Sequence, residues 1–209
     1  MNLARVPRTD PVAQPDDQLS ANAVLIERVH SAEAGAANDL YELFSADVNG
    51  IVWRVMGADS EHDDVVQLAF SNVFRNLAQI SDPERLRSWI AGVTVRTARN
   101  EIRRRKRRRW ITFGGEVPDR AAEIEDHEGR QLIRRVHDVL DRLPADLQIV
   151  FVLRFVEERP LLEVAEMTGC SIATVKRRIR RARSRFEVHA RRDPELAARI
   201  PRAPGGDDV

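Results

Sequence analysis

PLLEVAEMTGCSIATVKRRIRRARSRF, residues 160–186, decides the fold. The segment LLEVAEMT reads as a short helix that stops at Gly169, a residue suited to the left-handed conformation that closes helices. Ser171 is a good N-cap for a second helix. In that helix Ile172, Val175, Ile179, Ala182 and Phe186 recur at steps of 3, 4, 3 and 4, which makes one apolar stripe. Ala165 is small and lets the two helices cross closely. Helix, glycine turn and helix make a helix-turn-helix, with the second helix as the reader.

The outward face of the reader carries Thr174, Lys176, Arg177, Arg178, Arg180 and Arg181. An ordinary solvated face mixes signs, because glutamates one turn from a cation support the helix. No acid occurs between Glu166 and Glu187. Each like-charged pair one turn apart costs roughly a few tenths of a kcal/mol. A polyanionic partner offsets that cost, so the face is expected to bind DNA. Ser171, Ala173, Thr174 and Arg177, at the start of the helix, are expected at base edges, and the later cations at phosphates.

A second basic cluster lies upstream. Every residue from 103 to 109 is basic. Such a run is compatible with a solvated charge face, a targeting signal or a helix lying on nucleic acid. Net charge is only +1, but acidic residues gather elsewhere, at 61–64 and 123–128. That segregation favours polyanion binding more than the total does.

The 209 residues are enough for one ordinary domain or two small ones. Residues 1–20 contain three prolines and read as a tail. Residues 21–110 follow helical spacing, as in Val66, Phe70, Val73 and Leu77. Gln79-Ile80-Ser81-Asp82-Pro83 interrupts it, and a further helix is expected from Pro83 through the basic run. ITFGGEVPDR, residues 111–120, is the best linker, and the linker is placed at 111–121. Residues 122–190 read as four helices, at 122–142, 144–156, 160–168 and 172–188, with Pro144 and Pro160 in first turns. Residues 191–209 read as a tail with one short helix at 194–200. The expected fold is all-α: two small helical domains joined by a flexible linker.

Several classes lose support. The one cysteine, Cys170, allows no intramolecular disulfide and no cysteine-rich zinc site. It falls in the turn and reads as buried. The N-terminus lacks the apolar segment of a secretory signal, and no apolar run approaches the ~18 residues of a membrane span. A cytoplasmic protein without membrane insertion is expected. No phosphate-loop, G-x-S-x-G or H-E-x-x-H motif occurs, and the five histidines are scattered. No catalytic residue, metal ligand, cofactor or small-molecule substrate is assigned.

Residues 138–186 resemble region 4 of extracytoplasmic-function (group IV, sigma-70 family) RNA polymerase sigma factors. The family pattern appears as Glu163, Val164, Ala165, Glu166, Gly169, Ser171, Thr174, Val175, Lys176, Arg178, Ile179, Arg181, Ala182 and Arg183. Residues 40–77, with DDVVQLAF at 63–70, resemble regions 2.1 and 2.2. Residues 87–109 look like regions 2.3 and 2.4, with Trp89 at the family's tryptophan. The chain departs from the family at Leu68, where a glutamate is usual, and at Arg96 and Asn100, where asparagine and aspartate are usual. It departs also at Pro160, where Ser or Thr often caps.

The resemblance implies an alternative sigma factor that joins the RNA polymerase core at its clamp helices and flap and directs initiation at promoter DNA. It assigns Asp63, Asp64 and Gln67 to the clamp helices, although two aspartates at a helix N-terminus also complement its dipole without any partner. It assigns Asn76, Gln79, Ser81 and Asp82 to a loop receiving a flipped −10 base, against the plainer reading of a helix connection. Arg96, Asn100, Arg103, Arg104 and Arg107 would face the duplex beside the melted segment. Ser171, Ala173, Thr174, Lys176, Arg177, Arg178, Arg180 and Arg181 would read the −35 element. Trp89 reads as core and Trp110 stays open between stacking on a base and packing. Phe151 and Phe155 read as internal packing. An anti-sigma factor is a further expected partner. The rivals are a free-standing helix-turn-helix regulator that holds DNA without polymerase and a basic RNA-binding protein, neither of which needs the block at 63–70.

Overall fold

The computed structural model describes residues 15–57, 60–80, 82–113 and 128–199. The N-terminal half contains α1 (Pro15–His30), α2 (Ala36–Met56), α3 (His62–Asn76) and the long α4 (Leu86–Phe113). Leu40, Phe44, Val48, Ile51, Val52 and Val55 place the apolar stripe of α2 against Val65, Val66, Ala69, Phe70 and Val73 of α3. Ile90, Val93, Ala98 and Ile102 of α4 complete this core. Gly57 ends α2 at φ 74°, a value strained for other residues, and its N–H donates to the Trp53 carbonyl at 2.7 Å.

The C-terminal half contains α5 (Glu128–Leu140), α6 (Ala145–Phe151), α7 (Leu161–Thr168), α8 (Ile172–Ala190) and α9 (Pro194–Arg199). A π-helical turn, Val152–Val156, extends α6. Phe186 of α8 stacks on Phe151 of α6 with centroids 4.4 Å apart.

Several boundaries differ from expectation. α1 begins at Pro15, inside the stretch expected as a tail, because Leu25 and Ile26 bury its inner face and Asn22 Nδ2 donates to the Pro83 carbonyl at 3.1 Å. α4 runs to Phe113, into the expected linker; residues 114–127 lie outside those described. Pro144 and Pro160 sit one residue before their helices, at ψ 144° and 150°, where an extended residue without an N–H fits. The C-terminal segment is tied down as far as Arg199. Asp193 Oδ1 caps α9 by accepting from the N–H groups of Glu195 and Leu196, Arg135 of α5 pairs with Asp193 and Glu195, and Leu196 is buried.

The two halves are docked, and their buried apolar residues form one continuous cluster. α4 lies across α6 and α7. At Gly92 α4 meets α7: an added Cβ would lie in ordinary van der Waals contact with Met167 Cα, 3.7 Å away, and nearest to the Arg96 guanidinium of its own helix at 3.0 Å. Gln148 is fully buried at this junction: its Nε2 donates to the Val55 carbonyl at 2.9 Å, and its Oε1 accepts from Lys106 at 2.8 Å. Arg54 of α2 pairs with Glu157 at 2.6 Å.

Candidate nucleic-acid and polymerase interfaces

The helix-turn-helix is closed by local chemistry. Gly169 takes φ 66°, ψ 36°, and Cys170 N–H donates back to the Ala165 carbonyl at 3.0 Å. Ser171, at φ −67°, ψ 152°, accepts the Thr174 N–H through Oγ at 3.3 Å. Its hydroxyl also donates to Thr174 Oγ1 at 3.0 Å. Ser171, Ala173, Lys176, Arg177, Arg180 and Arg181 are exposed, and Thr174 is half-buried. None of those four cations has an ion-pair partner among the described residues.

Three details of the turn and of α8 depart from expectation. Arg178 turns away from the outward face: its Nη1 donates to Cys170 Sγ at 3.0 Å and lies 3.6 Å from Asp146. Its position, three residues after the buried Val175, puts it at the edge of the packed stripe. Ile172, the first residue of the helix, is exposed at the rim of that stripe. Cys170 is half-buried against the core and not enclosed.

The basic end of α4 is organised by Glu101, a carboxylate that the reading of the sequence passed over. Glu101 is buried and binds Arg104 in a two-pronged contact at 2.8 and 3.0 Å. Arg105 reaches it at 3.1 Å, and Arg108 lies at 3.6 Å. Glu61 adds a second carboxylate to Arg105 and Arg108. Burial pushes the Glu101 carboxyl up, but the hydrogen bonds from Arg104 and Arg105 outweigh it and hold the group below its ordinary value. The spacing of Glu101 to Arg104, Arg105 and Arg108 is three, four and seven residues, the signal by which it was findable.

The run therefore does not present seven equivalent charges. Arg105 and Lys106 turn inward, while Arg103 pairs with Asp146. Arg107 is exposed and has no ion pair among the described residues. Asn100 is exposed and Arg96 is half-buried; burial and then the neighbouring Arg99 hold the Arg96 guanidinium below its ordinary pKa. Trp110 and Ile111 are about 70% and 72% exposed side by side, whereas Trp89 packs against the core.

The segment between α3 and α4 is built from two short 3₁₀ turns, Leu77–Gln79 and Pro83–Arg85, anchored by the buried Ile80. Gln79 Nε2 donates to Asn76 Oδ1 at 3.3 Å, and Asn76 Nδ2 donates to the Asn72 carbonyl at 2.7 Å. Asp82 accepts the Glu84 N–H at 3.0 Å as a cap. Ser81 lies outside the described residues.

Asp63, Asp64 and Gln67 are exposed at the start of α3, where the carboxylates also face the positive end of the helix dipole. An apolar surface continues from them. Leu68, Phe74 and Tyr41 are partly exposed, and Tyr41 lies 4.6 Å from Phe70 between ring centroids. On the C-terminal half Phe151 packs inward as expected, but Phe155 is 42% exposed, because it sits on the outer side of the π-helical turn.

No helix among the described residues is long and apolar enough to cross a membrane. Two family models match the chain: Sigma-70 region 2 over residues 40–108 and Sigma-70 region 4 over residues 133–186. The ECF RNA polymerase sigma-E factor of Haemophilus influenzae is 28% identical over 182 residues, covering 82% of this chain and 95% of that protein. The RNA polymerase sigma factor SigV of Bacillus subtilis is 32% identical over 119 residues, 57% of this chain and 69% of that protein. Among solved structures, CnrH in complex with the cytosolic domain of CnrY superposes with a TM-score of 0.56 at 22% identity, covering 83% of this chain and 99% of that one. RpoE of Bartonella quintana in complex with the anti-sigma factor NepR gives 0.54 at 18%, covering 77% and 99%. These two likenesses show the fold. The chain belongs to the sigma-70 family of RNA polymerase sigma factors, in the extracytoplasmic-function group, and is an alternative sigma factor.

Proposed function

We propose that the protein joins bacterial RNA polymerase core through the start of α3 and delivers it to promoters with two helical readers. Asp63, Asp64 and Gln67 form the polar part of the polymerase contact, and the apolar surface of Tyr41, Leu68 and Phe74 borders it. Asn76, Gln79, Ser81 and Asp82 are the residues that receive a −10 base. Arg96, Asn100, Arg103, Arg104 and Arg107 of α4 follow the adjoining duplex. Ser171, Ala173, Thr174 and Arg177 address −35 base edges, flanked by Lys176, Arg180 and Arg181 on phosphates. Arg178 braces the turn from within. The protein acts as an initiation factor in the cytoplasm, without cofactor, small-molecule substrate or catalysis of its own.

The observation that carries this reading is the cation face of α8, four exposed charges without an ion pair among the described residues, on a capped helix-turn-helix. The exposed acidic and apolar start of α3 favours it over a free-standing regulator, which has no use for such a surface. CnrH and RpoE were solved with the cytosolic domain of CnrY and the anti-sigma factor NepR, and a protein of that kind is proposed as the inhibitory partner here. Co-elution of the purified chain with core polymerase tests the reading. A stable complex is expected; salt-sensitive DNA binding with no affinity for core would favour the free-standing regulator.

A further inference from the structure

We propose that Glu101 is a positioning residue that sets Arg104 to read a guanine in the duplex just upstream of the melted segment. This inference rests on the assignment of α4 to promoter DNA. Asn100, Arg104, Arg107 and Ile111 recur at steps of 4, 3 and 4 along one exposed face of α4. Arg104 is 62% exposed on that face, yet its guanidinium is held from one side. Its Nε donates to Glu101 Oε2 at 2.8 Å and its Nη2 to Glu101 Oε1 at 3.0 Å. Glu101 is itself fixed. It is only 6% exposed, Arg105 reaches it at 3.1 Å, and Arg105 is held in turn by Glu61 at 3.0 Å. A chain of ion pairs therefore runs from Glu61, just before α3, to the outer face of α4.

This arrangement suits a base edge better than a phosphate. A carboxylate taken side-on by Nε and Nη2 leaves the end of the guanidinium, Nη1 and the outer hydrogen of Nη2, as a two-pronged donor of fixed direction. That fork matches O6 and N7 of guanine, and no other base presents two acceptors in the major groove. A free arginine loses side-chain entropy when it binds, whereas Arg104 has given up most of it on folding. Neutralising a phosphate needs net positive charge instead. Glu61 and Glu101 sit among Arg104, Arg105 and Arg108 and offset most of theirs. Arg107, on the same face with no ion pair among the described residues, keeps its full charge and is the phosphate contact.

Holoenzyme assembled from the full-length chain and bacterial core polymerase tests this on promoter fragments selected from its own genome by initiation. Guanines upstream of the melted segment are replaced one at a time by 7-deazaguanine, which lacks the N7 acceptor and still pairs with cytosine. One replacement should weaken wild-type binding about tenfold. Arg104→Lys keeps the charge and loses the fork, so it should bind the modified and unmodified fragments alike. Glu101→Gln should lose most of the difference while holding the modified fragment as tightly as the wild type does; a purely structural role would weaken both fragments together. Arg107→Ala should weaken both fragments and keep the difference between them. In the free wild-type chain, 15N relaxation should show the Arg104 Nε–H group as ordered as the backbone and that of Arg107 mobile. If Glu101→Gln fails to fold, this measurement decides, and equal mobility of the two arginines overturns the positioning. The proposal is overturned also by the absence of a sensitive guanine, by a difference that survives Arg104→Lys or Glu101→Gln, by its loss in Arg107→Ala, or by equal weakening of both fragments in Glu101→Gln. A holoenzyme that initiates nowhere removes the polymerase reading and the guanine contact with it; initiation without a sensitive guanine removes the contact alone.

Discussion

Lys106 and Gln148 meet across the two halves: the ammonium in the middle of the arginine run donates to Oε1 of a fully buried glutamine at 2.8 Å. The same amide returns a hydrogen bond to the Val55 carbonyl, so one side chain joins α6 to both α2 and α4. Gln148→Ala leaves a cavity, a buried carbonyl without its donor and a cation short of an acceptor. A loss of about 2–4 kcal/mol is expected in denaturant unfolding. A loss under about 0.5 kcal/mol would show that the docked arrangement does not depend on this residue.

Phe186 and Phe151 stack at the centre of the C-terminal half. Phe186→Ala is expected to cost roughly 3–5 kcal/mol and to take the helix-turn-helix with it. Thermal unfolding followed by circular dichroism measures this, and an unchanged midpoint would contradict the packing.

Glu101 links stability to pH. Its folded pKa lies below the ordinary value, so its contribution is complete above the usual carboxylate range and is lost as pH falls through the lower folded value. Glu101→Gln should cost about 2 kcal/mol at neutral pH, since Arg105 loses its buried partner. The variant should also flatten the fall in stability between neutral pH and acid. Parallel pH profiles for variant and wild type would remove Glu101 from this role.

The reader helix separates two kinds of arginine. Arg177→Ala should lose roughly 1–3 kcal/mol of discrimination among −35 sequences while keeping its fold. Arg178→Ala should instead lower stability, because its partners are Cys170 and Asp146. Equal weakening on all sequences by Arg177→Ala would reduce that residue to a backbone contact, visible in a competition assay across promoter fragments.

On α3, Asp64→Lys reverses a charge at an exposed position and should lower affinity for core polymerase about tenfold with helicity intact. Fluorescence anisotropy with labelled chain checks it, and unchanged affinity would move the contact elsewhere.

The helix-turn-helix was legible because its determinants are local: Gly169, Ser171 and the stripe from Val175 to Phe186 lie within one short segment. The start of α3 was legible for the same reason. The inward turns of Arg105, Lys106 and Arg178 were not, because each depends on a carboxylate or amide brought in by folding. Glu101 sits at the head of the arginine run and neutralises part of it, which a composition reading of the run conceals. The docking of the halves was equally hidden, since Asp146 and Gln148 meet Arg103 and Lys106 only in three dimensions.

The most direct test is transcription in vitro. The purified protein is added to bacterial core RNA polymerase on a pool of upstream fragments from its own genome. Discrete start sites that require the protein, and that share two upstream elements, are the predicted result. No initiation anywhere and no complex with core, while the protein alone binds the same fragments, would contradict the assignment of α3 to polymerase and of α4 to promoter opening.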